Sequence, residues 1–323
     1  KINWNDESAK AKLLATLVGD VRRVHSYIHE HGSSDAAELK DAVDLLLLVA
    51  EQDIEEKDGQ IQIANGTCKD RIISVSDPEM RHGHKTSSQK SDGYKGNITV
   101  GGKNHNLITA VEVTPANAAD SSALDELITQ REENLGNPIE KLMGDSAYGG
   151  ADTRLKMIEK EIDLVAKVPP ASNRNGLFTK DRFEINLEER SITCPAGQVI
   201  KIKRQHGSFT FPAKTCTNCD LRSQCTSGKK GRTVVVHKEE ALLQKSRQEQ
   251  ETPEFKAQYR LRSRAERTIN CLTSHGARRS RYRGKKKSKF QLTVHAVINN
   301  VMNIFRYIEK ELVPKGGNIM VPV

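Results

Sequence analysis

Apolar residues recur at helical spacing through "AKAKLLATLVGDVRRVHSYIHEHG", which predicts a helix closing at Gly32. The pattern repeats in "DAAELKDAVDLLLLVAEQDIEEK". Residues 71–170 read differently. "DGYKGNITVGGKNHNLITAVEVTPA" alternates and is broken by "GGKNHN", a hairpin signal. "AADSSALDELITQREENLG" predicts a helix that opens on a capping box and closes at Gly136. "PIEKLMGD" reads as a strand, "ADTRLKMIEKEI" as a helix, and "DLVAKVPP" as a strand stopped by two prolines. The order hairpin, helix, strand, helix, strand predicts one mixed α/β sheet whose last strands are parallel. Residues 171–237 are rich in Asn, Lys and Cys, with short strand signals, and read as an insertion. From Lys238 the pattern is helical again, with one long helix expected from about Pro253. The expected division is an N-terminal helical segment (1–70), the first part of the core (71–170), the insertion (171–237) and C-terminal helices completing the core (238–323).

The chain has 323 residues, with 29% charged and a mean hydropathy of -0.61. Its longest apolar run, Leu45 to Ala50, is far short of a membrane span, and no secretory signal is visible. A cytoplasmic protein without a membrane partner is expected. The formal net charge of +9 points to a polyanionic partner, nucleic acid first. Between Leu261 and Lys289 there are eleven Lys or Arg and one acid, Glu266. Arg278, Arg279, Arg281, Arg283, Lys285 and Lys286, with Tyr282 among them, form a candidate phosphate-backbone contact; the ordinary alternative is a solvated basic loop. "MRHGHK", Met80 to Lys85, reads as a basic hairpin for the same partner.

"MGDSAYGG", Met143 to Gly150, ends a strand on Asp145 and then turns small and flexible. Its ordinary reading is an Asp capping the next helix. Yet ligands of open α/β sheets sit at the carboxyl ends of strands, where Asp145 stands. In "QYRLRSRAERTINCL", Tyr259, Arg262 and Glu266 are spaced to share one helical face. A lone Glu among arginines is a salt-bridge hub or a metal ligand beside phosphate-binding residues. In the insertion, Cys194, Cys216, Cys219 and Cys225 suit tetrahedral zinc, with buried free thiols as the alternative; sulfurs gathered within about 4 Å of one another are expected. Cys68 and Cys271 read as packing residues, and His206 and His237 as substitute ligands at most.

"GDSAYGG", the "YRLRSRAE" helix, "SVSDPEMRHGHK" with "DGYKGNITV", and "VTPANAAD" together resemble the DDE-class bacterial insertion-sequence transposases that carry a cysteine-rich insertion. The resemblance runs from about Asp6 to Tyr307. It implies an RNase H-like catalytic domain, metal-dependent cleavage and strand transfer on double-stranded DNA, a homodimer in the active complex, and a nucleoid-associated bacterial protein. Asp145 matches the family's second acid. Tyr259, Arg262 and Glu266 match its Tyr-Arg-Glu signature. Two ions of Mg²⁺ or Mn²⁺ about 4 Å apart activate the nucleophile and stabilise the leaving oxygen in such chemistry, so Asp145 and Glu266 are expected roughly 4 to 8 Å apart.

Two departures stand out. Thr273 occupies the place of a family Lys, whose DNA contact is then absent or moved to Arg278 or Arg279. The family's first Asp has no matching motif; Asp77 in "SVSDPEM" is the in-chain substitute, and Asp before Pro is also an ordinary turn. Because residue 1 is Lys and a helical segment opens the chain, the first acid is expected upstream, and residues 1–323 alone are expected not to cut or join DNA. The alternatives are a non-catalytic zinc-stabilised DNA-binding protein, a decayed transposase, and an RNase H-like nuclease.

Overall fold

The computed structural model describes residues 3–32, 36–84, 90–102, 105–171 and 176–312. The chain divides into two compact units: Lys1–Asn134 with Thr268–Val323, and Leu135–Arg267. Among the described residues no helix is long and apolar enough to cross a membrane.

The first unit opens with α1 (Glu7–His31) and α2 (Ala37–Glu51). Asp6 starts α1 by accepting from the Ser8 and Ala9 N–H groups at 2.9 and 3.3 Å, which fills donors a helix start leaves unpaired. A small ribbon, β1 (Ile54–Lys57) and β2 (Gln60–Ile63), follows. Then β3 (Arg81–His84), β4 (Lys90–Gly101) and β5 (Leu107–Pro115) form an antiparallel sheet, and α3 (Leu124–Leu135) comes after a 3₁₀ turn.

The second unit begins with β6 (Lys141–Met143), α4 (Ala151–Glu159) and β7 (Asp163–Val165); the two strands are parallel. Its cysteine-rich part contains β8 (Glu184–Asn186), β9 (Ser191–Thr193) and β10 (Val199–Lys201) as one small sheet. A ribbon of β11 (Gly207–Thr210) and β12 (Thr233–Val236) flanks the short helices α5 (Ala213–Thr217) and α6 (Arg222–Cys225). Then come α7 (Glu240–Glu249), α8 (Pro253–Tyr259) and the start of α9 (Ser263–Leu272), whose residues from Thr268 on belong to the first unit. The closing helix α10 (Lys285–Leu312) belongs to the first unit.

The mixed α/β character agrees with the sequence pattern, but the single mixed sheet does not form. Its strands divide into the antiparallel β3-β4-β5 and the parallel β6-β7. A local reason is visible on β5. Asn300 of α10 donates to the Ile108 carbonyl and accepts from its N–H, at 2.8 and 2.7 Å. Gln130 accepts from the Val111 N–H at 2.6 Å, and Asn134 donates to the Thr109 carbonyl at 2.8 Å. Side chains from helices therefore satisfy groups that another strand would have taken. Helices cover both faces of β5: Leu272, Leu292 and Ala296 pack on Ile108 and Val111, while Ala123 and Leu127 pack on Ala110. That is why β5 is buried almost continuously instead of alternating.

The helix expected from Pro253 is also divided. It runs as α8, a 3₁₀ turn at Arg260–Arg262, and α9, then ends in a wide turn, Thr273–Ala277, where Gly276 takes φ 96°. On α10 the sheet-facing side is polar and apolar by turns, and the opposite side leaves Phe290, Val297 and Phe305 more than half exposed.

The cysteine-rich part has its own core of Phe183, Ile192, Phe211, Val234 and Val236. Beside it Glu240 is 2% exposed and is paired with Lys180 and, at 3.2 Å, with Arg247. Burial alone would push the Glu240 carboxyl up. Hydrogen bonds from Lys180, the His237 N–H and Arg247 outweigh that and hold it below the ordinary range. A depressed carboxyl contributes stability above its unfolded pKa, about 4.3, and loses it as pH falls further. Glu240→Ala is expected to cost about 3–5 kcal/mol in urea denaturation, because two cations are left unpaired. Glu240→Gln is expected to flatten the loss of stability as pH falls below about 4.3, and to leave the pH dependence above that unchanged.

Candidate active site

Asp145 leaves β6 at its carboxyl end, exposed, and caps the 3₁₀ turn Ser146–Tyr148 by accepting from the Ala147 N–H at 2.8 Å. The glycines around it have separate reasons. A Cβ on Gly149 would lie 1.8 Å from the Lys167 carbonyl oxygen, so backbone meets backbone there. A Cβ on Gly144 would lie 2.9 Å from the Tyr148 ring. Arg154 of α4, 7% exposed, fastens this turn to the next strand. Its Nε donates to the Gly149 carbonyl at 3.0 Å, and its Nη2 to the Ala166 carbonyl.

The register sets Met143 beside Val165, so the segments ending in Asp145 and Lys167 leave the pair on the same rim. Helix α8, capped by Thr252 and opened by Pro253, packs beside β7. Gln258 accepts from Lys141 at 3.0 Å. Lys167 Nζ stands 5.1 Å from the centre of the Tyr259 ring, and Arg262 lies over the same ring at 4.9 Å. Arg262 in turn pairs with Glu266, which is 55% exposed at its side chain. Tyr259, Arg262 and Glu266 thus keep a common face across the 3₁₀ turn. Arg262 Nε is buried and has no hydrogen-bond partner among the described residues. The carboxylates of Asp145 and Glu266 are hard oxygen donors of the type Mg²⁺ takes.

Asp77 lies elsewhere in kind: it sits in a turn, not on a strand, and is 6% exposed. Its carboxylate accepts from the Tyr94 hydroxyl at 2.6 Å and from the Gly284 N–H at 2.9 Å. Burial, then the bond to Asp77, pushes the Tyr94 hydroxyl far up.

The basic run is a braced loop. Gln291 donates to the Arg279 carbonyl and accepts from the Arg281 N–H, at 2.9 and 2.8 Å. Ser280 and Ser288 bond at 3.0 Å. Arg278, Arg279, Arg281, Arg283 and Lys286 remain exposed. Lys285 differs from its exposed neighbours in having a partner: its ammonium lies 3.0 Å from Glu112, a carboxylate on the buried strand β5. Lys289 pairs with the same group. Burial would raise the Glu112 carboxyl, but these two lysines hold it below its usual range. Of "MRHGHK", Lys85 lies outside the described residues; His82 is bonded to Asp92.

Cys194, Cys216, Cys219 and Cys225 line one small cavity with Phe211 and Arg232. Burial pushes the Cys225 thiol up, Arg232 opposes this, and the other three cysteines add to it. Cys216 Sγ accepts from the Arg232 N–H at 3.5 Å. The donor set and the shared cavity fit a thiolate-bound ion. The close gathering expected from the spacing is not present: no three of these sulfurs lie within 4.8 Å of one another. Each cysteine is held by its own backbone. Cys194 sits in a turn closed by the Gly197 N–H at 2.8 Å, and Cys216 follows the Pro212 carbonyl at 3.1 Å.

Sequence reasoning passed over Lys167 and Arg154. The signal for Lys167 was a cation placed just past a strand in "AKVPP". Arg154 carried no signal, since a helical Arg is ordinarily solvated.

No curated protein and no solved structure matches the chain. Residues 193–306 match the model of a family described as a transposase DDE domain. The matched segment includes the four cysteines and Glu266, and excludes Asp145. That match supports what the motifs resemble: a DDE-class insertion-sequence transposase.

Proposed function

We propose that this chain carries Asp145 and Glu266, on an RNase H-like domain, as two of the metal-holding acids with which a DDE-class transposase cleaves DNA at the ends of an insertion element and transfers the strands. The observation that carries the reading is the run of contacts from the Asp145 rim through Lys167 and Tyr259 to Arg262 and Glu266. Mg²⁺ or Mn²⁺, when bound there, supplies an activated nucleophile and charge stabilisation in phosphoryl transfer. Lys167 and Arg262, both beside the Tyr259 ring, hold phosphate oxygens. Cleavage of duplexes carrying the element's ends is the test. Asp145→Asn and Glu266→Gln are each expected to lower the rate at least ~1000-fold, the equivalent of several kcal/mol. Variants that cut as fast as the parent chain would remove both residues from the site.

One observation favours a second reading, DNA binding without strand cleavage: the Asp77 carboxylate is already used by Tyr94 and Gly284. A parent chain that binds duplex DNA yet leaves it whole in both Mg²⁺ and Mn²⁺ supports this reading against the first.

The four cysteines are proposed to hold one structural zinc, supported by their common cavity and the N–H donated to Cys216. Chain purified under reducing conditions is expected to carry zinc that Cys194→Ser and Cys219→Ser lose. Equal zinc in parent and variants contradicts the assignment.

The exposed arginines of the braced loop are proposed to track the phosphate backbone. Arg279→Glu with Arg281→Glu is expected to weaken duplex binding and to flatten its dependence on salt by roughly 1.8 in log–log slope. Unchanged affinity would make the loop merely solvated surface.

A further inference from the structure

The sequence "VHSYIHEH" places His25 and His29 four residues apart on α1, so both face the same way one turn apart. Across from them stands Asp44 of α2. The Nε2 atoms of His25 and His29 lie 2.8 and 2.7 Å from the same carboxylate oxygen, Asp44 Oδ1. The two rings are 4.4 Å apart and tilted by 38°. These three ligand atoms all lie within 4.8 Å of one another, and no other trio of His, Cys, Asp or Glu does so among the described residues. The hydrogen bonds from His29, then from His25, hold the Asp44 carboxyl below its ordinary range.

An ion pair would explain one of these contacts. Two imidazoles converging on one oxygen make a donor set as well. Zinc bonds of about 2.0–2.1 Å to nitrogen and oxygen in a tetrahedron need N···O edges of about 3.3 Å. Each observed contact therefore has to open by about 0.5 Å, within the reach of side-chain rotation. The remaining polar neighbours are committed. Glu51 pairs with Arg22 at 2.6 Å. Gln52 bonds both the N–H and the carbonyl of Ile72. Leu47 and Leu48 line the adjoining recess. A fourth position is left to water.

We propose that His25, His29 and Asp44 bind a divalent transition-metal ion, zinc first, and that the ion ties α1 to α2. Two imidazole nitrogens and one carboxylate suit zinc, cobalt, nickel and copper, and do not suit Mg²⁺, which demands oxygen. On binding, each Nε2 gives its lone pair to the ion. The proton it shared with Asp44 moves to Nδ1 in a neutral ring, or leaves to solvent from a charged one. This set shares no residue with the acids or cysteines assigned above.

The test is zinc titration of the full reduced chain, followed by calorimetry, in parent, His29→Gln and Asp44→Asn. Gln keeps an N–H for Asp44 and so preserves the helix contact, while removing the imidazole lone pair. Any zinc held by the cysteines is common to all three proteins and cancels in the comparison. Each variant is expected to lose one binding event, or to weaken it by on the order of 100-fold. Identical stoichiometry and affinity in all three overturns the proposal. A readout free of substitution uses the imidazole proton resonances of the parent chain. Zinc is expected to shift those of His25 and His29; if they stay in place at saturating zinc, there is no such site.

Discussion

The candidate site depends on one close approach, that of the Gly149 backbone to the Lys167 carbonyl. No side chain fits between them. Arg154, buried behind the turn, draws together the Gly149 and Ala166 carbonyls with one guanidinium. A buried cation bonded to carbonyl dipoles at both ends is costly to disturb. The turn after β6 is thereby held against the segment after β7, and Asp145 and Lys167 emerge side by side. Lys167 then meets Tyr259, and through that ring the helix bearing Glu266 is tied to the same rim. The small residues after Asp145 serve the packing of backbone on backbone first. An open approach for a large ligand is a consequence.

The first unit shows a comparable economy at the start of α10. Asp77 and Glu79 accept from the Gly284 and Lys285 N–H groups, so carboxylates meet the positive end of the helix. Gln291 and Ser288 hold the preceding loop from within the helix. Arginines that would repel one another on a free loop are displayed on a fixed backbone. That arrangement lowers the ordering cost of meeting a polyanion.

Much of this was legible in the sequence where local spacing decides. Tyr259, Arg262 and Glu266 were placed on one face by counting residues, and the structure keeps them linked even though a 3₁₀ turn interrupts the helix. The parallel pair β6–β7 followed from strand, helix, strand. Long-range partners were not legible. Lys285 looked like its basic neighbours until Glu112, far away in sequence, was found beside it. The sheet looked continuous because nothing local says that Asn300 and Gln130 will occupy the edge of β5. The cysteine spacing indicated a shared cavity but not the distances between sulfurs, which three separate backbone segments set.

The proposed chemistry requires that Asp145 and Glu266 hold ions in common. Iron-mediated cleavage of the polypeptide tests it most directly. Fe²⁺ takes the place of Mg²⁺ at oxygen-rich sites and, with ascorbate and peroxide, cuts the backbone within reach of the bound ion. Shared ions would give two clusters of cuts, one in the turn after β6 and one in α9, both suppressed by excess Mg²⁺ and both lost together in Asp145→Asn. Cuts at one segment that survive removal of the other's carboxylate would contradict that sharing.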